Sequence, residues 1–325
     1  MNYFKDKKVL VTGGSGFVGT NLIIRLLSLG ASVRATLHDN KPQIKFDQVD
    51  FRVGDLRDEG FCNSVCQDID LVFLCAANTS GAAVMEKRPL VHLTPNIIMN
   101  TLMLEAAYAA GVKKTLFISS NTVYPVSDEP VKEEDCNNTF FYKYFIVAWM
   151  KRFSEIMCEM YSKKIKKPMA CLVVRPANLY GPMDDFEWET SHVLPALIRR
   201  VIERHSPISV WGDGQDIKDF LYIDDFIDGI LLVMENQDTF EPVNLASGQG
   251  YRLCDLLNML CEIDGYTDAR IEYDASKPTM IPTRIIDSSL AYKLFGFNAK
   301  TSIRDGLTET VEWYRKKTGV YRNAR

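Results

Sequence analysis

The glycine-rich stretch near the start of this 325-residue chain constrains the fold more than any other feature. The segment KKVLVTGGSGFVGTNLIIRLLSLGASVRATL has the pattern of a strand, a glycine turn, an amphipathic helix and a second strand. Gly13 permits a tight turn, Gly16 lets the backbone approach a pyrophosphate, and Gly19 lets the helix and the strand pack closely. A helix N-terminus after such a turn favours negative charge. The sequence therefore predicts a βαβ unit that binds a dinucleotide.

The alternation of strands and helices continues beyond this unit. The apolar runs DIDLVFLCAA and KKTLFISS are typical of buried strands, and NIIMNTLMLEAAYAAGV between them has helical spacing. A long helix around 140–162, the strand ACLVVRP, a helix around 192–204 and the strand PVNLAS follow. This order predicts the α/β class, with a doubly wound parallel sheet of the Rossmann type.

The composition of the chain changes after Arg175. NLYGPMDDFEWETSH and WGDGQDIKDFLYIDD are long polar and aromatic segments. Since a domain takes about 150 residues, we predict a dinucleotide-binding Rossmann domain over 1–178. A smaller substrate-binding lobe should occupy most of 179–325, with 220–247 returning to the Rossmann sheet.

Charge and cysteine content argue against several functional classes. A net charge of −4 gives no reason to expect nucleic acid or a membrane as a partner. No apolar run reaches the roughly 20 residues that a membrane span needs. The eight cysteines form no CxxC pair, and with only four histidines the chain lacks zinc-ligand spacing. We therefore expect free cysteines, no bound metal and a cytoplasmic location.

The end of the second predicted strand bears on the choice between NAD and NADP. An acidic residue there would bind the ribose hydroxyls of NAD, but VRATLHDN places Leu37 at that point, followed by His38 and Asp39. A 2′-phosphate would favour an arginine, which neither Ser15 nor His38 supplies. We expect NAD(H) rather than NADP(H), with NADP(H) kept as the alternative.

Five motifs, TGGSGFVG, GDLRD, CAAN, SSNTVYP and NLYGP, occur in the order and spacing of the extended short-chain dehydrogenase/reductases that act on nucleotide sugars. The runs SHVLPALIRR, WGDGQDIKDFLYIDD and YDASKP are most similar to the GDP-fucose synthase group of that family. The resemblance implies a Rossmann fold, a nicotinamide dinucleotide and a C-terminal lobe that binds a GDP-linked sugar.

We expect two sets of binding residues. Those for the dinucleotide are Gly13, Ser15, Gly16, Phe17, Val18, Gly19, His38, Asp39, Asp55, Leu56, Cys75, Ala76, Ala77, Lys151 and Pro176, with Asp55 and Leu56 ending the third strand. Those that match the substrate side of the family are Asn178, Ser191, His192, Val193, Arg200, Trp211, Lys218 and Lys277. Lys218 stands where GDP-fucose synthase has an arginine, so a bidentate grip on the diphosphate would be weaker.

The resemblance also assigns catalytic positions, and two of them carry unexpected residues. Ser120 matches the catalytic serine, and Lys151 matches the lysine that holds the nicotinamide ribose. The family tyrosine, four residues before that lysine, is replaced by Val147, which cannot transfer a proton. His192 matches one acid–base group of 3,5-epimerisation, but its partner cysteine is replaced by Thr122. Epimerisation is therefore not expected.

Two residues could take over the proton transfer. Tyr144 lies three residues before Val147, about 60° around a helix and about 4.5 Å along its axis. Lys151 could itself act as the base if burial or the charge of the cofactor lowers its pKa. The sequence leaves both possibilities open, and Tyr142 is a weaker third.

The combined pattern predicts an NAD(P)-dependent oxidoreductase that acts at C4 of a GDP-linked sugar without 3,5-epimerisation, in the synthesis of surface-polysaccharide precursors. One alternative is an epimerase or dehydratase of the same fold, although a dehydratase would favour an acid where Asn121 and Thr122 stand. The other is a non-catalytic protein that binds a dinucleotide and a sugar.

A homodimer is also expected. The family pairs through the two helices represented here by about 96–110 and 140–162, and FFYKYFIVAWM is too apolar for a helix with a single buried face.

Overall fold

The strand that precedes the glycine turn lies inside a seven-stranded parallel sheet. The computed structural model describes residues 2–78, 89–277 and 280–320. The sheet consists of β1 (Lys8–Val11), β2 (Ser32–Leu37), β3 (Asp50–Val53), β4 (Leu71–Leu74), β5 (Lys114–Ile118), β6 (Ala170–Pro176) and β10 (Val243–Leu245). Their order is β10-β6-β5-β4-β1-β2-β3, which confirms the doubly wound α/β fold.

Helices cover both faces of this sheet. In the described ranges they are α1 (Phe17–Ser28), α2 (Glu59–Val65), α3 (Thr94–Ala109), α4 (Phe145–Glu159), α5 (Val193–Ile202), α6 (Ile223–Asn236), α7 (Leu253–Asp264), α8 (Ser289–Phe295) and α9 (Ile303–Thr318). Within β1, Val9 and Val11 join one buried cluster and Leu10 joins the other, because successive strand side chains point to opposite faces. None of the helices in these ranges has the length and apolar character needed to cross a membrane.

A second, smaller sheet begins where the chain leaves β6. It contains β7 (Asn178–Tyr180), β9 (Ile217–Tyr222), β11 (Gly250–Arg252) and β13 (Thr283–Arg284), while β8 (Ile208–Trp211) pairs separately with β12 (Ile271–Asp274). β10, which lies within 220–247, pairs with β6 of the large sheet. The domain boundary at residue 178 stays a prediction.

The buried carboxylate of Asp219 ties the small sheet to the large one. It accepts hydrogen bonds from the backbone N–H and hydroxyl of Ser247, just beyond β10, and from the backbone N–H groups of Gly248 and Ile286. Four donors thus converge on one side chain that solvent does not reach. Burial is nevertheless the largest influence on this group and raises the pKa of Asp219 to about 6.

Two predicted element boundaries differ from the structure. The helix expected around 140–162 is α4, which begins only at Phe145 and follows a 3₁₀ turn over Tyr142–Tyr144. The third strand ends at Val53, so Asp55 and Leu56 lie in the turn beyond it.

The strand order reverses between β1 and β4, where the chain turns back to build the other half of the sheet. In open α/β sheets, ligands bind outside the carboxyl ends of the strands at such a reversal. The glycine turn follows β1 and the segment Cys75–Ala77 follows β4, so both lie at this point.

Candidate active site

The glycine turn is shaped by contacts that leave no room for side chains. Gly13 has a φ of +70°, and a Cβ at this residue would come within 2.8 Å of the Cα of Ala76. A Cβ at Gly19 would lie 2.2 Å from the carbonyl oxygen of Gly13. Gly16 caps α1 without a side-chain hydrogen bond, so the first turn of the helix can receive an external anion. The turn therefore fits the pyrophosphate of a dinucleotide.

Most of the other residues predicted for the cofactor lie on the same edge of the sheet. Phe17 and Val18 begin α1, Ser15 lies in the turn, and Pro176 is the last residue of β6. The hydroxyl of Thr12 accepts a hydrogen bond of 2.9 Å from the backbone N–H of Ala76, which ties the glycine turn to Cys75–Ala77.

A cluster of charged side chains follows β2 and β3. His38 Nδ1 lies 3.0 Å from Asp39, and His38 Nε2 lies 3.7 Å from Asp55. Arg57, which was not predicted as a site residue, binds Asp55 through Nη2 at 2.6 Å. Its hydrogen bonds lower the pKa of Asp55 to about 2, and that carboxylate stays ionised. Leu56 is buried beneath the cluster.

Lys151 lies at the carboxyl ends of β4 and β5. Its Nζ donates a 2.8 Å hydrogen bond to the carbonyl of Ile118 and stands 5.0 Å from the centre of the Phe117 ring. Burial lowers the pKa of Lys151 to about 8, against the opposing effects of Glu155 and the Cys75 thiol. At pH 7 about a tenth of this amine is therefore unprotonated, far more than for an ordinary lysine.

Ser120 and Thr122 form a compact pair on the segment after β5. The backbone N–H of Thr122 donates to Ser120 Oγ at 3.1 Å, and the hydroxyl of Thr122 donates to the same oxygen at 3.0 Å. Because both bonds are accepted by Ser120 Oγ, its own proton remains available to a substrate oxygen.

A buried polar network holds this segment against α4. The fully buried Glu155 accepts a 2.5 Å hydrogen bond from the hydroxyl of Ser119 and two from Arg175, at 2.9 and 2.8 Å. Arg175 also donates to the Tyr124 hydroxyl, which in turn donates to the side chain of Asn244. The network fixes both ends of SSNTVY, so it orients Ser120. A signal for it was present in the sequence, since Glu155 lies four residues after Lys151 on the same helix.

Val147 and Tyr144 occupy different parts of the site. Val147 is half-buried on α4, one turn before Lys151. Tyr144 precedes the helix, and its phenol experiences the charges of Arg284 and Asp216, next to β13 and β9. Burial raises the pKa of Tyr144 to about 12. The phenol thus lies on the side of the small sheet. Tyr142 is 73% exposed.

Four of the residues predicted for the substrate lie on or beside α5. His192 caps the helix, Ser191 precedes it and Val193 is its first residue. His192 is exposed to solvent on one side, and desolvation by the surrounding protein lowers its pKa. The guanidinium of Arg200 lies 5.0 Å from the ring of Trp188.

The remaining four lie on the strands of the lobe. Asn178 donates a 2.8 Å hydrogen bond to the backbone oxygen of Asp219 on the adjacent β9. Lys218 on the same strand pairs with Asp216 at 3.2 Å. Trp211 is the last residue of β8 and is 39% exposed. Lys277 follows β12, the strand that pairs with β8. The structure therefore distributes the substrate-side residues over α5, β7–β9 and β8–β12.

The geometry can be compared with known proteins. A model of the NAD dependent epimerase/dehydratase family matches residues 9–246. The chain belongs to this family. Within the described residues, His, Cys, Asp and Glu side chains form no group of three that could hold a metal ion.

Relatives and solved structures of the family extend over nearly the whole chain. GDP-L-fucose synthase 1 of Arabidopsis thaliana is 31% identical, over 96% of this chain and 94% of that protein. A dTDP-4-dehydro-6-deoxy-D-allose reductase of Streptomyces is 27% identical, over 95% and 96%. A crystal structure of UDP-glucose 4-epimerase from Thermotoga maritima with UDP-glucose has a TM-score of 0.86 and 27% identity, over 96% and 99%.

These findings confirm three of the expectations. The chain is an NAD(P)-dependent nucleotide-sugar enzyme of the extended short-chain dehydrogenase/reductase class, and its cofactor is NAD(H) or NADP(H). The roles of the individual site residues stay predictions.

Proposed function

We propose that the protein is an oxidoreductase that acts at C4 of a GDP-linked sugar, as a 4-dehydrogenase or a 4-keto reductase, without 3,5-epimerisation. The observation that carries this proposal is the placement of Lys151, with its lowered pKa, at the strand ends where the nicotinamide of this fold family binds. The likeness to a GDP-L-fucose synthase over 96% of the chain supports the substrate class.

The residues present suffice for proton transfer at a sugar oxygen. The nicotinamide, when bound, accepts or supplies the hydride. Ser120 donates its hydroxyl proton in a hydrogen bond to the C4 oxygen and so positions it. In the direction of oxidation, the amine of Lys151 takes the proton of the C4 hydroxyl, directly or through one water. Val147 contributes only apolar surface.

The exclusion of 3,5-epimerisation rests on Thr122. Removing a proton next to a ketone requires a base, and an unactivated hydroxyl is a very weak one. The Thr122 hydroxyl also donates to Ser120 rather than to a group that could activate it. His192 alone then supplies one of the two acid–base groups that the inversion needs.

Charge at the end of β2 favours NAD over NADP. Asp39 is 86% exposed, and Asp55 is ionised. Arg57, the arginine beside them, has its guanidinium bound to Asp55. A 2′-phosphate placed here would meet two carboxylates, whereas ribose hydroxyls would find hydrogen-bond acceptors.

Incubation in D2O with a GDP-4-keto-6-deoxy sugar and NADH tests the proposal. We expect oxidation of NADH and a product reduced at C4, with no deuterium at C3 or C5 by NMR. Deuterium at C3 and C5 would show 3,5-epimerisation and contradict the proposal. Inversion of a GDP-hexose at C4 without net change of NADH would instead identify an epimerase, and binding of both ligands without hydride transfer would identify a non-catalytic protein.

We further propose that the protein works as a homodimer, in the cytoplasm, on precursors of surface polysaccharides. Apolar side chains on the outer face of α4 support the dimer, and eight free cysteines support a reducing compartment.

A further inference from the structure

Four exposed lysines lie close together on the connection between α4 and β6. A π-helical turn over Met160–Lys164 extends α4, and β6 begins at Ala170. The lysine patch, as we name this group, consists of Lys163, Lys164, Lys166 and Lys167. Within the described residues, none of these four ammonium groups pairs with a carboxylate. The patch therefore presents positive charge to the solvent.

The backbone beneath the patch is held by contacts on both sides. The backbone N–H of Met169 donates a 3.0 Å hydrogen bond to the carbonyl of Tyr161, which closes the connection. Ser162 Oγ accepts a 2.9 Å hydrogen bond from the backbone N–H of Phe240. Lys163 Nζ stands 5.2 Å from the centre of the Phe240 ring. The four lysines thus project from a fixed part of the fold.

The neighbouring lysines differ from the patch because they are paired. Lys113 and Lys114, at the start of the adjacent β5, bind Asp70 and Asp238, each at 2.7 Å. Their charges are therefore compensated locally.

Charge is unevenly distributed over the whole molecule. The chain has a net charge of −4, and since the patch contributes four positive charges, the rest of the chain carries −8. An anionic surface attracts the patch and repels the remainder, so it favours one orientation of the protein. The net charge alone, which gave no reason to expect a membrane partner, does not reveal this separation.

The composition of the patch favours one kind of anionic partner. Protein interfaces are enriched in aromatic residues and arginine and depleted in lysine. Tight binding of duplex nucleic acid takes about 6–10 phosphate contacts, and single strands stack on exposed aromatic rings. The patch has four cations, no arginine and no exposed ring. Clusters of about four to eight basic residues are typical of proteins that bind anionic lipid headgroups.

We propose that the lysine patch docks the protein onto a bilayer that contains anionic lipids. The ammonium groups would lie among the headgroup phosphates, without insertion of any segment into the hydrocarbon. β6 runs from the patch to Pro176 at the cofactor site, and a strand of its length spans about 20 Å. Docking therefore leaves the cofactor site at the far end of the sheet and open to solvent. The inference is independent of the reaction at C4.

Sedimentation with sucrose-loaded vesicles tests the proposal. Vesicles of phosphatidylcholine alone are compared with vesicles of phosphatidylcholine mixed with phosphatidylglycerol. The patch variant combines Lys163→Gln, Lys164→Gln, Lys166→Gln and Lys167→Gln.

A matched control changes four exposed lysines on and around α8 and α9, combining Lys293→Gln, Lys300→Gln, Lys316→Gln and Lys317→Gln. It alters the net charge by the same amount. It also removes one ammonium group from above an aromatic ring, because Lys317 stands 4.9 Å from the centre of the Trp313 ring as Lys163 stands over Phe240.

We expect the wild type to sediment with the mixed vesicles and to stay in solution with phosphatidylcholine alone. Each lysine near an anionic surface is worth about a fivefold gain in partitioning, so the patch variant should bind at least about a hundredfold more weakly. The control should bind within a factor of about three of the wild type. Salt at about 1 M, where the screening length is about 3 Å, should release the wild type.

Thermal unfolding of all three proteins shows whether the variants are folded. If the loss of Lys163 from above Phe240 impairs folding, the triple variant Lys164→Gln, Lys166→Gln and Lys167→Gln keeps that contact and should still lose most of the vesicle binding.

Three results would overturn the proposal: a wild type that stays in solution with the mixed vesicles, equal binding to both kinds of vesicle, or equal losses in the patch variant and the control. Tighter binding to duplex DNA than to the mixed vesicles would also overturn it and assign the patch to nucleic acid. Because neither cofactor nor sugar is present, a failure of the C4 reaction leaves this test intact.

Discussion

At the scale of the residue, Val147 stands where the resemblance places the family tyrosine, so the proposed proton transfer needs another group. A valine leaves the amine of Lys151 as the titratable group at the strand ends, and burial has brought its pKa to about 8. Tyr144 is held near Arg284, with its pKa raised to about 12. The two candidates that the sequence left open thus differ in both position and protonation.

Lys151→Ala is therefore expected to lower single-turnover hydride transfer by about 10²–10⁴-fold at saturating cofactor and sugar. In the direction of alcohol oxidation, the wild-type rate should rise with pH through about 8, because only the unprotonated amine accepts a proton. Stopped-flow measurement of nicotinamide absorbance across pH checks both effects.

Tyr144→Phe is the matched variant, since it removes only a hydroxyl. It should leave the saturated rate and its pH profile unchanged. The assignment would be wrong if Tyr144→Phe abolished hydride transfer while Lys151→Ala changed cofactor affinity alone.

At the scale of the element, the local sequence pattern predicted the strands and helices that depend on local periodicity. The glycine turn, the strands of the large sheet and the approximate extents of α3 and α4 follow from periodicity within short windows. The position of Tyr144 could not be predicted in this way, because its expected place relative to Val147 assumed that residue 144 is helical. The helix begins at Phe145, so the 3₁₀ turn before it directs the phenol elsewhere.

Contacts between distant segments could not be predicted from one sequence. Glu155 meets Arg175 across 20 residues, and Asp219 meets Ile286 across 67. Both carboxylates are buried, and although Glu155 lies one helical turn after Lys151, nothing in the local sequence shows which distant residues pair with either carboxylate. The burial of Arg284 on β13 likewise becomes visible only when the strands are assembled.

Asp219→Asn is expected to lower the free energy of unfolding by about 2–4 kcal/mol at pH 7. An amide turns one acceptor into a donor that faces backbone N–H groups, and each group left unsatisfied costs about 1–3 kcal/mol. The wild-type carboxyl has a folded pKa of about 6, above its unfolded value of 3.8, so it binds a proton preferentially in the folded state. The difference between wild type and variant should therefore be larger at pH 5 than at pH 7.

Urea unfolding at both pH values measures this difference. Asp268→Asn serves as the control, because Asp268 is exposed and its change should stay within about 0.5 kcal/mol. A variant as stable as the wild type at both pH values would show that the four hydrogen bonds of Asp219 do not hold the small sheet.

At the scale of the whole molecule, two adjacent helices present an apolar surface. Phe145, Trp149 and Phe153 are spaced by four residues on α4 and are 53%, 38% and 43% exposed. α3 packs beside α4, with Asn100 donating to Ser154 at 3.0 Å. This surface is the expected face of the homodimer.

Sedimentation at micromolar concentration should give twice the mass of one chain for the wild type, and one chain for Trp149→Glu combined with Phe153→Glu. Buried glutamates without partners would oppose association. Tyr292→Glu is the control, because Tyr292 is 66% exposed on α8, away from this surface. A monomeric wild type would refute the predicted dimer.

The helix α4 carries this outer surface and Lys151 within the same 15 residues. A helix of that length is about 22 Å long and moves largely as one piece. If the surface of α4 loses its partner, the backbone that holds the lysine loses support at the same time. The catalytic rate per chain would then depend on enzyme concentration. A fall in this rate on dilution would reveal dissociation of the dimer without any measurement of mass.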